Sequence, residues 1–173
     1  VNALSAKLSA KTGALSVEAN KALAATNATL SGKTIGLTAT TGSVTAQSAT
    51  LTSTAATAVT AGKDIDLASA QIKATDVALS AQNGLNATSA VINGATLKAS
   101  AKTGNAAFDK ATVVTTGLAT VAAGSDVSAT NAVMNANGLS LTAQNGNVDA
   151  SSAKLSAKTG VLAVEANKAL TAA

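Results

Sequence analysis

A stretch of 21 residues occurs twice in this chain. Residues 5–25 and 152–172 agree at 18 of 21 positions and differ only at Ala14/Val161, Ser16/Ala163 and Ala24/Thr171. The two copies are 147 residues apart, which is seven times 21. An internal repeat of this length is typical of solenoid proteins, in which each repeat forms one coil. The sequence therefore predicts a stack of about eight coils of roughly 21 residues each.

Aliphatic residues recur at the same spacing and form three columns. The first column is Leu8, Leu30, Leu51, Ile72, Val91, Val113, Val133 and Leu155. The second is Leu23, Val44, Ile65, Leu85, Ala107, Val127, Val148 and Leu170. The third is Val17, Leu37, Val59, Leu79, Leu97, Val121, Leu141 and Val164. Three columns predict three strands in each coil. Because parallel crossovers are usually right-handed, we expect an all-β, right-handed parallel β-helix of triangular cross-section.

Local patterns favour strands over the alternatives. Aliphatic and polar residues alternate in Ile65-Asp66-Leu67, which is the period of a half-buried strand. Alanine favours a helix, but the 13 glycines and many threonines argue against one. Antiparallel hairpins with Asn-Gly turns are a second alternative, although hairpins need no 21-residue rhythm. Glycines recur at steps of 20 or 22, and we interpret them as corners where glycine accepts a positive φ. These glycines are Gly42, Gly62, Gly84, Gly104, Gly124 and Gly146.

The composition limits the shape of the core. The chain has no Cys, His, Arg or Pro, and Phe108 is its one aromatic residue. An interior filled by Ala, Val, Leu and Ile must be narrow, as in a slender sheet-lined prism. Phe108 lies one residue from the column position Ala107, so we predict a bulge or a change of register in residues 105–110. We expect residues 1–173 to be a single β-helical segment cut at both ends from a longer repeat array.

The motifs LSAKTGALSVEA, LTAQNGNVDASSAKLSA and VTAGKDIDLASAQI resemble the repeat shaft of the filamentous haemagglutinins. The resemblance covers essentially the whole chain. It implies a rigid spacer in a secreted adhesin at the bacterial cell surface, with a role in cell adhesion and virulence. The partners it implies are the outer-membrane pore of two-partner secretion and, through the parent protein, host-cell glycans or receptors. The family's secretion domain and its Arg-Gly-Asp tripeptide have no counterpart in this sequence.

Catalytic and metal chemistry has few residues to use. Without His or Cys, neither a Ser-His-Asp triad nor a thiol nucleophile can be assembled. Asp64 and Asp66 flank Ile65 and should both point outward, beside Ser43 and Thr45 of one neighbouring coil and Gly84 and Asn86 of the other. Calcium usually takes six or more oxygen ligands, so two aspartates predict solvated surface rather than a metal site. We expect no enzyme activity and no cofactor.

Lysines supply every side-chain cation, and the formal net charge is +4. A basic groove can recruit polyanions, so eight lysines are candidates for binding heparin-like sulphated glycans. They are Lys7, Lys11, Lys21, Lys98, Lys102, Lys154, Lys158 and Lys168. In its column, however, Lys7 is followed by Thr29, Thr50, Gln71, Ala90, Thr112 and Ala132 before Lys154, which predicts dispersed charges that keep the sheet faces soluble.

The sequence thus leaves two functions open, a structural shaft of an adhesin and a glycan-binding module. Without arginine or stacking aromatics, we expect no nucleic-acid binding. Because no run of eighteen apolar residues occurs, we also expect no membrane insertion.

Overall fold

The structure, a computed structural model, describes residues 1–172 as a parallel β-solenoid of eight coils. No helix occurs among these residues, and every strand pair is parallel. The spacing of about 21 residues and the all-β class are therefore confirmed. The stretch after Glu18, which carries the helix-favouring alanines, forms the end of one strand and the short strand at Leu23.

Each coil contributes one strand to each of three faces. The strands β1 (Lys7–Ala19) and β3 (Thr29–Ala39) pass through the corner between the first two faces and belong to both. The other strands of the first face are β5 (Thr50–Ser53), β8 (Gln71–Lys73), β11 (Val91–Gly94), β14 (Thr112–Thr115), β17 (Val133–Ala136) and β20 (Lys154–Ala157). Those of the second are β6 (Ala56–Ala61), β9 (Asp76–Ala81), β12 (Thr96–Ala101), β15 (Leu118–Ala123), β18 (Gly138–Ala143) and β21 (Leu162–Ala166). The third face consists of β2 (Leu23–Ala24), β4 (Val44–Thr45), β7 (Ile65–Asp66), β10 (Leu85–Asn86), β13 (Ala106–Ala107), β16 (Val127–Ser128), β19 (Val148–Asp149) and β22 (Leu170–Thr171). Coils are numbered 1 to 8 after these third-face strands.

The aliphatic columns point inward and form the core, with four corrections to the predicted positions. The first column contains Ile92 and Met134 where Val91 and Val133 were expected. The third contains Ala99 where Leu97 was expected, because Leu97 belongs to a separate inward column between Val77 and Ala119. The second contains Ala106 where Ala107 was expected. Each error is one or two residues, because coils of 20 to 22 residues let the aliphatic neighbour of the true core residue fit the same spacing.

Phe108 does not disturb the register, so the predicted bulge is wrong. Ala106 and Ala107 of β13 pair in register with the coils on both sides. The Phe108 amide donates to Ser128 O at 2.7 Å in the regular ladder, and its ring is fully buried. Phe108 occupies the inward position two residues after Ala106, which Leu67, Ala87 and Ala129 fill in neighbouring coils. One large side chain beside alanines fills the local volume without shifting the backbone.

Positive φ angles occur once in each coil, but never at glycine. They are found at Ser5, Asn27, Ser48, Ser69, Ser89, Lys110, Asn131 and Ser152. Each is the third residue of a four-residue turn closed by a backbone hydrogen bond, such as Ala70 N to Leu67 O at 2.9 Å. Positive φ at this position characterises a type II turn. The interpretation of the corner glycines as positive-φ residues is therefore wrong.

The corner glycines are needed for close backbone approach instead. A Cβ at Gly62 would lie 2.1 Å from Thr40 O, and one at Gly42 would lie 2.2 Å from Lys21 O. A side chain there would collide with the coil below. Glycine thus marks the corner between the second and third faces, as predicted, for a steric reason.

Two rows of alanine line the inner corners. One row ends the second face: Ala19, Ala39, Ala61, Ala81, Ala101, Ala123, Ala143 and Ala166. The other closes each positive-φ turn: Ala6, Ala28, Ala49, Ala70, Ala90, Ala111, Ala132 and Ala153. In coils 2 to 7 both rows are buried. The chain bends sharply at these points, and a methyl group fills the space between the walls.

Candidate functional site

The eight candidate lysines are all exposed, and they lie on different parts of the solenoid. Lys7 and Lys154 lie on the first face, and Lys98 on the second. Lys11 and Lys158 lie at the corner between these faces in coils 1 and 8. Lys21, Lys102 and Lys168 lie at the corner that follows the second face, in coils 1, 5 and 8.

The register pairs none of the three face lysines with another lysine. Lys7 faces Thr29, Lys98 lies between Ala78 and Thr120, and Lys154 faces Val133. The column that contains Lys7 and Lys154 has Val91 and Val133 where the sequence predicted Ala90 and Ala132. The two lysines at its ends are seven coils apart, which is about 34 Å at 4.8 Å per coil.

Two shallow grooves bring pairs of lysines together, and each pair includes a lysine that the sequence did not single out. Lys11 and Lys33 line a groove between coils 1 and 2. Lys21 and Lys63 line another, with Thr41 and Ser43 between them. Both pairs arise because corner lengths differ between coils, so residues at unequal sequence spacing come to share one corner. A search for a constant 21-residue step misses them.

The largest groove runs along the second face and is lined mainly by hydroxyl groups. Thr38, Thr60, Ser80 and Ser100 occupy one outward row on successive strands. They line a groove of about 530 Å³, with Lys102 beside the row. A row of hydroxyls with a single ammonium group can hydrogen-bond water or a neutral polar molecule, but it offers little charge to a sulphated chain.

The carboxylates at Asp64 and Asp66 have the neighbours that the sequence predicted. Asp64 lies beside Ser43 and Gly84, and Asp66 is paired with Thr45 and Asn86. Asp66 accepts hydrogen bonds from Asn86 Nδ2 at 3.0 Å and from Ala68 N at 3.1 Å. The bond from Asn86 ties one coil to the next. Among residues 1–172 no cluster of three or more acidic side chains suits a metal ion.

Asp64 belongs to a column at the corner before the third face, which we call the corner ladder. It consists of Ala22, Ser43, Asp64, Gly84, Asn105, Asp126, Asn147 and Ala169. In five steps, a side-chain oxygen accepts the backbone N–H of the column residue one coil on. Examples are Asp64 Oδ1 from Gly84 N at 2.9 Å and Asp126 Oδ1 from Asn147 N at 2.8 Å. The two remaining steps start at Ala22 and Gly84, which have no acceptor. The ladder therefore gives these polar residues a structural role.

Asp149 is stabilised as a carboxylate by its own turn. The Ser151 hydroxyl donates to Asp149 Oδ1 at 2.5 Å, and the Ser151 backbone N–H donates to the same oxygen at 2.9 Å. These bonds favour the charged form and lower the pKa of Asp149, with a smaller contribution from Thr130, against a partial desolvation that raises it. Asp66 and Asn86 form the same type of turn in coils 3 and 4.

Neither protein-family models, nor curated proteins, nor solved structures gave a match to this chain. Over residues 1–172 the structure contains no helix with the length and hydropathy required to cross a membrane.

Proposed function

We propose that this chain is a shaft segment of a secreted bacterial adhesin of the filamentous-haemagglutinin type, in which it acts as a rigid spacer. The observation that carries the proposal is the continuous parallel pairing along all three faces from coil 1 to coil 8. Such ladders resist bending because every coil is bonded to its neighbours on three sides. Eight coils at about 4.8 Å make a rod segment of roughly 35–40 Å.

The pattern of pairing also suits export through an outer-membrane pore. Each coil pairs only with its neighbours, so a chain that emerges unfolded can fold coil by coil as it leaves the pore. No step of this folding waits for a distant segment. The parent protein's pore and host-cell receptors are the partners in this proposal, and the cell surface is its location.

The competing function is a module that binds sulphated glycans through lysines. The pairs Lys11/Lys33 and Lys21/Lys63 are the observation that favours it. Against it, the face lysines have Thr, Ala or Val as their register neighbours. Dispersed ammonium groups bind a polyanion weakly, and this binding decreases steeply with salt.

Retention on immobilised heparin at about 50 and about 150 mM salt separates the two functions. The spacer predicts that the chain elutes unretained at the higher salt. Retention at that salt, lost in Lys11→Gln/Lys33→Gln or in Lys21→Gln/Lys63→Gln, would establish the glycan-binding module instead. The matched control is Lys73→Gln/Lys110→Gln, which removes the same charge at two separate places.

The spacer itself is tested by displaying the chain on a bacterial surface with and without a binding module at its outer end. We expect no adhesion to host cells from the chain alone. With the module, we expect adhesion under flow to exceed that of the same module on a Gly-Ser linker of equal residue number, because such a linker is a flexible coil. Adhesion by the chain alone would contradict the proposal.

A further inference from the structure

The sequence duplication has a structural consequence at coil 8. In coil 1, the edge that faces coil 2 pairs with it from Lys7↔Thr29 to Ala19↔Ala39. Coil 8 repeats the residues of that edge, as Leu155, Leu162, Val164 and Leu170 show. On coil 8 the same edge is uncovered, and Leu162 and Leu170 are 45% and 53% exposed. Coil 8 thus presents the surface that coil 2 already covers on coil 1.

The three differences between the copies leave that surface unchanged. Ala14/Val161 and Ser16/Ala163 lie outside the inward columns, at exposed or half-buried positions. Ala24/Thr171 is an outward position on the third face. The irregular corner is also duplicated. Coil 1 has two more residues than coil 2 between its first and second faces, and coil 8 has two more than coil 7 at the same place.

Coil 1 is held less firmly than the interior coils. Its inward residues Leu8, Leu15 and Val17 are only half-buried, whereas Leu30, Ile35 and Leu37 of coil 2 are fully buried. An end coil of a solenoid packs against a single full neighbour, so it opens at a lower free energy than the rest. When coil 1 opens, the edge of coil 2 that it covered becomes free.

We infer that coil 8 of one molecule can replace coil 1 of a second copy of this chain on that copy's coil 2. The joint is continuous with an interface that already exists within the chain. Coil 8 offers coil 2 the same aliphatic packing and the same backbone hydrogen bonds that coil 1 provides, so the exchange is nearly balanced in free energy. Because the joint is head-to-tail, it generates open chains of molecules rather than closed dimers.

A pair of engineered cysteines reports the register of this joint. Ser9 and Ser31 are neighbours across coils 1 and 2, with their hydroxyl oxygens 2.9 Å apart, and Ser156 is the counterpart of Ser9 in coil 8. In the variant Ser31→Cys/Ser156→Cys, the two thiols of one molecule are about 29 Å apart, six coils at 4.8 Å. A disulfide between them therefore forms only between copies. The natural chain has no cysteine to interfere.

Two control variants set the scale. Ser9→Cys/Ser31→Cys should oxidise within one molecule and shows that the geometry permits the bond. Ser9→Cys/Ser156→Cys should link only molecules that stack end to end with coil 1 still in place. We expect covalent multimers from Ser31→Cys/Ser156→Cys in excess of those from Ser9→Cys/Ser156→Cys. The reverse order, or no multimer from either pair, would overturn the inference.

A matched pair of substitutions tests which coil matters. Val17→Asp weakens coil 1 and leaves coil 8 intact, so multimers of Ser31→Cys/Ser156→Cys should increase by about tenfold or more. Val164→Asp places the same change on coil 8 and should abolish them. If the two variants behave alike, the multimers arise from exposed core surface and the inference fails.

Discussion

The gap in the corner ladder at Gly84 leads to a specific prediction, that Gly84→Asn stabilises the protein. Gly84 has no side-chain oxygen to accept the N–H of Asn105, whereas the steps on both sides are complete. A Cβ at Gly84 would lie 3.4 Å from Asp64 Oδ1 and 3.7 Å from Asn105 O, which are ordinary contacts, and its φ is not positive. Asparagine is preferred to aspartate because it adds no third negative charge beside Asp64 and Asp66.

The magnitude follows from two separable contributions. Replacing the glycine restricts the unfolded chain, which is worth about 0.5 kcal/mol and is measured alone by Gly84→Ala. The new hydrogen bond adds about 1 kcal/mol, so Gly84→Asn should stabilise by about 1.5 kcal/mol. Gly62→Asn is the opposing control. Its Cβ would lie 2.1 Å from Thr40 O, and it should destabilise by about 2 kcal/mol.

Urea unfolding gives the stability of each variant, and amide hydrogen exchange locates the effect. In Gly84→Asn, exchange of the Asn105 amide should slow about fivefold relative to Gly84→Ala, as about 1 kcal/mol requires. Equal stability of the Asn and Ala variants, with unchanged exchange at Asn105, would refute the ladder as a source of stability.

Three further predictions concern single positions. At Ser69, whose φ is 59°, Ser69→Gly should stabilise by about 0.5–1 kcal/mol and Ser69→Val should destabilise by about 1–2 kcal/mol in urea unfolding. Ser53 and Thr57 share a buried hydrogen bond of 2.9 Å, so Ser53→Ala and Thr57→Val should each cost about 1 kcal/mol. The double variant should cost about 1 kcal/mol less than their sum, and additive costs would show that the bond is not coupled. The lowered pKa of Asp149 contributes stability above the ordinary carboxyl pKa of about 3.9, and this stability is lost as the pH falls through the lower folded pKa. Ser151→Ala should raise the Asp149 pKa in a carboxyl NMR titration, and an unchanged pKa would contradict the proposed cause.

The sequence was sufficient to predict the fold, because a solenoid repeats its physical requirements in every coil. Leu8, Leu30, Leu51 and Leu155 were placed correctly, since their coils offer no second aliphatic residue at the same spacing. Position 91 was misjudged because Val91 and Ile92 are adjacent and both fit. Only the pairing of β11 with its neighbours decides that Ile92 points inward.

The errors at Phe108 and the glycines have a different cause. Both came from treating a residue as a local signal when its neighbours in adjacent coils decide its role. Phe108 is accommodated because Ala87 and Ala129 leave space on either side. Gly62 is required by the backbone of the coil below, which sequence order does not reveal. The alanine rows were visible as a step of about 21 residues, but alanine is too common in this chain for the rows to stand out.

The candidate site was predicted less well, because it depends on corners whose lengths vary. A face position can be followed from coil to coil by counting, but Lys33 and Lys63 reach their partners through corners of unequal length. Surface chemistry at the corners therefore depends on the structure, whereas the core depends on the repeat.

The same regularity that stiffens the rod also makes its coils interchangeable. Two buried alanine rows, one turn with positive φ and one ladder of short polar side chains recur at equivalent positions, so coils differ mainly in which aliphatic residue fills each column. Any coil that satisfies these requirements can stack on another, which lets a shaft be lengthened by whole coils without redesign of its neighbours. It also means that specificity between adjacent coils is weak, and that a near-identical coil such as coil 8 can compete for the place of coil 1. Chain connectivity, which keeps each coil at high effective concentration beside its own neighbour, is then what maintains the order of the stack.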